Sequence, residues 1–228
     1  MSRFDAEYYQ RHGTSSDRRS LWWYARVLRR LRPQGGRLLD FGCGTGHLLK
    51  RLAGSFDTYG YDPSAYARGE CRIVSPQAVV LDDWRTLEAS SLQVVVTLHC
   101  LEHIRDPQEV VDGLAERLTR GGLLFAVVPN TTGLGRKLKG EKWFGYRDST
   151  HCSLLSPKEW VTVMNRARLT VTSMHGDGMW DPPYVIAIPS SLQRVLFGAP
   201  AALQVFSPVP RLFLPPFLGE CLIIQAQR

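Results

Sequence analysis

The chain has no Cys-x-x-Cys pair; its five cysteines, Cys43, Cys71, Cys100, Cys152 and Cys221, are odd in number and widely scattered. With no secretory segment ahead of them, this excludes a disulfide framework and fits reduced thiols in the cytoplasm. No apolar run is long enough to span a bilayer without charge or proline. The arginine-rich start lacks the acid-poor character of a transit peptide, because Asp5, Glu7 and Asp17 interrupt it. No Tyr-x-x-x-Lys is present, which removes support for a NAD(P)-dependent oxidoreductase.

What is present is a chain of 228 residues, 44% hydrophobic, enough for one good core, and a single α/β domain over 1–228 is expected. The net charge of +7 is partly concentrated near the N-terminus. In "RRSLWWYARVLRRLR", Leu21, Tyr24, Ala25, Leu28 and Leu31 recur at helical spacing while Arg26, Arg29 and Arg30 lie off that face. The pattern reads as a docked helix with a solvated basic side within an N-terminal helical cap, residues 1–35. A contact with a membrane surface or nucleic acid is the competing use of those arginines.

The chemistry begins at "GRLLDFGCGTGHLLKRLAG". A short apolar run ends in Asp40, glycines follow at 42, 44 and 46, and Leu48, Leu49 and Leu52 then recur at helical spacing. This is strand, glycine turn, helix, where backbone can approach a ligand and helix amides meet its polar groups. About twenty residues on, "TYGYDPS" supplies a second strand ending in Asp62 and Pro63, an acid placed to accept from a ribose diol. A dinucleotide fingerprint would want its third glycine at His47, and Asp40 suits an ammonium better than a pyrophosphate.

These segments resemble class I S-adenosylmethionine-dependent methyltransferases, especially those that O-methylate ubiquinone precursors. "LLDFGCGTGHLL" is similar to the family's first motif and "YGYDPS" to its second. "VVLDDW" resembles the adenine-holding segment, "VVVTLHCLEHIRDP" the segment after strand four, and "LTRGGLLFAVVPN" strand five. The resemblance implies a Rossmann-like seven-stranded sheet with strand seven antiparallel, helices on both faces and lid insertions. It implies S-adenosyl-L-methionine as cofactor, held by Tyr9, Asp40, Gly42, Cys43, Gly44, Gly46, Asp62, Pro63, Asp82, Asp83, Trp84, Leu98 and His99. Tyr8 and Tyr9 resemble an N-terminal element that closes over the cofactor, with core packing as the alternative. Trp84 would stack on adenine or merely cover the strand end, and Cys43 is a small turn residue rather than a nucleophile.

"TLHCLEHIRDP" contains His-x-x-Glu-His, the string of one zinc peptidase class. Here it follows the β-branched run "LQVVVTL" and precedes Asp106-Pro107, an N-cap and first helical position, so it lies in a strand-to-helix connection and not inside a helix. Some ubiquinone-type relatives carry Glu-x-x-Glu-His at this point and are thought to hold a divalent metal; His99 stands where the first Glu would, and no metal is assigned. "DPPY", Asp181 to Tyr184, spells a DNA amino-methyltransferase motif, but that motif belongs after strand four, whose place "LQVVVTL" takes.

"SPKEWVTVMNRAR" has a capping box and a helix with Trp160, Val161, Met164 and Ala167 on one side; "LTVTSMHG" and "ECLIIQAQR" read as strands six and seven. Two long connections, 131–155 and 178–218, are the expected acceptor-side insertions. The second carries Trp180, Tyr184, Val185, Leu192, Leu196, Phe197, Leu203, Phe206 and Leu212 in a stretch whose prolines predict no single long helix. Candidate bases are His103 and His151, the latter in a segment resembling the family's Asp-x-x-His region; Glu102 would orient a histidine or cap a helix.

The expectation is a cytoplasmic methyltransferase acting on oxygen or nitrogen of a small-molecule or lipid-linked acceptor, with no nucleic-acid partner. A peripheral membrane contact and a homodimer are left open by the apolar insertion. The competing classes are a non-catalytic subunit that binds the cofactor and activates a partner, and, further off, a DNA amino-methyltransferase.

Overall fold

The computed structural model describes residues 6–11, 17–206 and 214–228. Leu212 therefore lies outside the described residues. The chain divides into two compact units.

The first unit holds the described residues up to Leu98 with Glu116–Leu124 and Arg228. Its elements are α1 (Ala6–Arg11), α2 (Arg19–Leu31), β1 (Arg37–Phe41), α3 (His47–Leu52), β2 (Asp57–Tyr61), α4 (Ala65–Val74), β3 (Val79–Leu81) and β4 (Leu92–Leu98). β1 pairs in parallel with β2 and β4, and β2 with β3. β1 and β4 are almost wholly buried, as near-continuous apolar strands inside a parallel sheet must be. The periodic face of α2 is buried through Leu21, Tyr24, Ala25 and Leu28, with Trp23 and Val27 added, while Leu31 is only half-buried; Arg26 is half-buried and Arg29 and Arg30 remain in solvent.

The second unit holds His99–Ala115 and Phe125–Gln227. It contains most of α5 (Pro107–Arg117) and the C-terminal part of β5 (Leu118–Pro129). α6 (Leu134–Lys139), α7 (Phe144–Arg147), α8 (Pro157–Arg166), β6 (Thr170–Gly176), α9 (Ser190–Phe206) and β7 (Cys221–Gln227) follow. β7 runs antiparallel to β6, and the strand order of the seven-stranded sheet is β3-β2-β1-β4-β5-β7-β6. Among the described residues, no helix is long and apolar enough to cross a membrane.

Two local expectations need correction. In α8 the capping box of Ser156 and Glu159 forms, but the buried side is Trp160, Val163 and Met164; Val161 is only partly covered, because Val163 continues the i, i+3, i+4 row from Trp160. The prolines of the 178–218 insertion do not prevent a long helix. α9 runs for 17 residues with Pro200 inside it. Proline deprives only the carbonyl four residues earlier of its donor, and the turns on either side keep theirs.

Candidate active site

In the first unit the glycine turn leaves β1 with Gly42, Gly44 and Gly46 all at positive φ, 83°, 51° and 83°, a conformation that a side chain would strain. The turn is latched to the end of β2, since the amides of Gly42 and Cys43 both donate to the Tyr61 carbonyl at 2.7 and 2.9 Å. A Cβ on Gly46 would come within 2.6 Å of Cys71 Sγ, so close approach as well as φ requires glycine there.

Asp62, one residue past β2, is buried and central. Its Oδ1 accepts from Tyr9 Oη and Ser64 N, both at 2.9 Å, and its Oδ2 accepts from Gly44 N at 3.0 Å. Burial pushes its carboxyl above the ordinary range, against those three donors. Asp40, at the end of β1, is buried too; burial and the neighbouring Asp62 charge raise it to about 7. Two buried carboxylates, one raised by the charge of the other, could hold a cation or hydrogen-bond donors. The Tyr9 ring lies over the turn, 3.6 Å from where a Gly44 Cβ would stand.

The remaining residues expected at the cofactor divide. Pro63 directs its carbonyl to Arg68. Cys43 Sγ lies 3.9 Å from Cys71 Sγ, and that contact together with burial holds its thiol well above the ordinary range. Asp82 is turned outward onto Arg68 and Arg72, and Asp83 caps the short helical turn Trp84–Thr86 through Arg85 N. The Trp84 ring is buried edge-on to Phe41, with the guanidinium carbons of Arg85 and Arg117 4.9 and 4.8 Å from its centre. Leu98 ends β4.

The second unit brings His103 and His151 together, with ring centres 4.7 Å apart. His-x-x-Glu-His is a bend and one turn, Leu101–His103, not a helix long enough to align two histidines. His99 opens it at φ 53°, an unusual conformation for a residue with a side chain, its amide tied to the Val127 carbonyl at 2.9 Å. The Glu102 carbonyl accepts from the amides of Cys152 and Ser153, both at 2.9 Å, and Ser153 Oγ donates to the Ile104 carbonyl at 2.5 Å. Those bonds clamp segment 148–153 onto the turn.

Asp148, the acid of the Asp-x-x-His segment, and Thr150, which the sequence did not single out, then fix the histidines. Thr150 Oγ1 donates to Asp148 Oδ1 at 2.5 Å and lies 2.8 Å from His103 Nδ1. A hydroxyl has one proton; spent on Asp148, it leaves Thr150 to accept, so Nδ1 of His103 carries hydrogen and Nε2 has the lone pair. Burial holds the His103 pKa below its ordinary value, only partly opposed by the Glu102 charge. His151 Nδ1 faces the Gly145 carbonyl at 2.7 Å, an acceptor, so it too is protonated at Nδ1, and its Nε2 stands 3.8 Å from Asp148 Oδ2. Burial raises the Asp148 carboxyl, but the hydroxyl and amide of Thr150 outweigh it and keep the group below its usual range.

Glu102 is fully buried, both carboxylate oxygens lack a hydrogen-bond partner, and His99 Nδ1 is 3.6 Å from Oε1. Glu102, His103 and His151 each offer a ligand atom, all within 4.8 Å of one another. Asp181 of "DPPY" follows β6 rather than β4 and is held by Lys139 and Arg147 at 2.5 and 2.8 Å, with its amide donating to Tyr184 Oη.

Comparison with known proteins identifies the family and the fold. A methyltransferase domain family model matches residues 16–174. A ubiquinone biosynthesis O-methyltransferase of Xanthomonas axonopodis pv. citri is 32% identical over 117 residues, 46% of this chain and 48% of the relative. The chain spans about half the length of the curated relatives it matches. Two solved structures share the fold. One is a complex of the Haloferax volcanii Trm112 methyltransferase activator with a putative methyltransferase (TM-score 0.65, 16% identity, 100% of this chain and 99% of that one). The other is a SAM-dependent methyltransferase from Archaeoglobus fulgidus (TM-score 0.64, 19% identity, 98% and 100%). The motif series, the seven-stranded order with its antiparallel β7 and the match across residues 16–174 together show that the chain belongs to the class I S-adenosylmethionine-dependent methyltransferase family.

Proposed function

We propose that the chain methylates a hydroxyl of a small or lipid-linked acceptor. The donor is held through Asp62 on its ribose and Asp40 on its ammonium, and the acceptor is deprotonated by His103. The observation that carries this reading is the chain Asp148–Thr150–His103, which spends a half-buried carboxylate and a hydroxyl on presenting a neutral Nε2. Methyl transfer from a sulfonium is an in-line displacement in which positioning supplies much of the rate, and a base helps an acceptor that bears a proton. Relatives named for ubiquinone O-methylation support oxygen as the atom. A non-catalytic subunit would have no use for the relay.

A variant of this reading rests on the orphaned oxygens of Glu102. A divalent cation bound there would be held by Glu102, His103 and His151 and would favour the ionised acceptor. The test is to incubate the protein with methyl-labelled S-adenosylmethionine and fractionated metabolites, lipids and phenols, before and after EDTA dialysis. Label in a hydroxyl-bearing fraction, unchanged by EDTA, is the expected result. Activity lost to EDTA and restored by added zinc or magnesium selects the cation variant, and label only in amines or none at all contradicts the proposal.

Asp40 gives the donor site a pH dependence. Its raised pKa means the folded protein keeps a proton that the unfolded chain loses near pH 4, so its contribution to stability is full below that value and is lost as pH rises to about 7. A bound ammonium favours the ionised carboxylate. S-adenosylhomocysteine affinity is therefore expected to rise with pH up to about 7, with proton release visible in calorimetry across buffers of different ionisation heat; Asp40→Asn should abolish both effects.

A further inference from the structure

α9 is amphipathic in the wrong sense for a helix that packs on a core. Its buried residues are Gln193 and Gln204, while Leu192, Leu196, Leu203 and Phe206, three to seven residues apart on one side, are exposed, together with Val195. Val195, Leu203 and Phe206 are each about two-thirds exposed, at 66%, 65% and 64%.

The orientation is pinned by polar bonds. Gln193 Oε1 accepts from the amides of Tyr184 and Val185 at 2.6 and 3.1 Å, and its Nε2 donates to the carbonyls of Val185 and Ile188 at 2.7 and 2.6 Å. Gln204 Oε1 accepts from Leu214 N at 2.7 Å. Rolling the helix to bury its leucines would strip these backbone groups of their partners. A stripe of this kind left to water is a surface for something apolar.

The surroundings say what covers it. α9 has no acidic residue and one basic one, the exposed Arg194. The turn beside it, Trp180 to Tyr184, meets Phe197 of α9 through Tyr184, ring centres 5.0 Å apart. It meets the segment of α6 and α7 through Trp180 and Phe144 at 4.9 Å. That segment, residues 134–147, carries Arg136, Lys137, Lys139, Lys142 and Arg147 against one acid, Glu141. Lys137, Lys142 and Arg147 are exposed, as are the amphipathic rings of Trp180 and Tyr146. An apolar stripe with basic and Trp/Tyr flanks matches the depth profile of a lipid interface. A symmetric pairing of two copies would set these basic flanks against each other.

We propose that α9, with the α6–α7 segment beside it, docks the second unit onto an anionic phospholipid surface, its leucines in the acyl boundary and its lysines and arginines at the headgroups. The inference does not depend on which acceptor is methylated.

The full chain should co-sediment with vesicles of an equal mixture of phosphatidylcholine and phosphatidylglycerol, less so as salt is raised, and not with phosphatidylcholine alone. The double variant Leu196→Glu, Leu203→Glu should lose on the order of tenfold or more of that binding. Its circular dichroism and its S-adenosylhomocysteine affinity should match the unsubstituted protein. No binding to the mixed vesicles, equal binding to both kinds, or a dimer that the double variant converts to monomer would each overturn the proposal; the first two are read on the unsubstituted protein and do not depend on how the variant folds.

Discussion

Asp62→Ala is expected to weaken S-adenosylhomocysteine binding about ten- to a hundredfold, because the ribose hydroxyls would enter a dry crevice without their acceptor, a loss of about 1 to 3 kcal/mol. The same substitution removes the acceptor of Tyr9 Oη, Ser64 N and Gly44 N, so the glycine turn loosens as well. Thermal stability should fall, and the titration should be run well below the variant's own Tm. Asp62→Asn separates the two effects. It keeps one carbonyl oxygen for the turn but cannot accept from both hydroxyls, so it should recover most of the stability and only part of the affinity. Affinity unchanged in both variants would remove Asp62 from the donor site.

His103→Ala is expected to lower kcat by roughly a hundredfold or more while leaving S-adenosylhomocysteine affinity intact, the range associated with loss of a positioned base. Thr150→Val is the finer probe. It leaves His103 in place but deletes the hydroxyl that accepts from Nδ1–H, so the ring is free to carry its proton on Nε2 instead. About a tenfold loss of kcat at unchanged KM is expected, on the view that an Nε2 proton blocks the base in a share of the molecules. If Thr150→Val matches the unsubstituted enzyme while His103→Ala is inactive, the histidine acts without the relay; if His103→Ala is fully active, the base lies elsewhere.

The proposed donor side was legible in the sequence because its parts are local. A glycine turn between a strand and a helix, and an acid one residue past the next strand, are patterns within a few residues of one another, and Asp40, Asp62 and the glycines fall where those patterns put them. The proposed acceptor side was only half legible. His103 and His151 carry chemistry by residue type, but Asp148 and Thr150 act through a hydrogen bond spanning 47 positions to His103 and one spanning two within the segment. The Asp-x-x-His likeness pointed to Asp148, and the short Asp-x-Thr spacing, which favours such local side-chain bonds, hinted at Thr150. Trp84 was ambiguous because an aromatic at a strand end serves packing and stacking equally well. The α9 stripe was counted as apolar content without an orientation, since composition does not reveal that two glutamines would take the inward positions.

Calorimetric titration of the unsubstituted protein with S-adenosylhomocysteine, with NAD as the parallel ligand, tests the central assignment most directly. One site for S-adenosylhomocysteine and no heat from NAD is the predicted result. Binding of NAD with none of S-adenosylhomocysteine would contradict the account, because Asp40 and Asp62 would then be serving a different nucleoside cofactor.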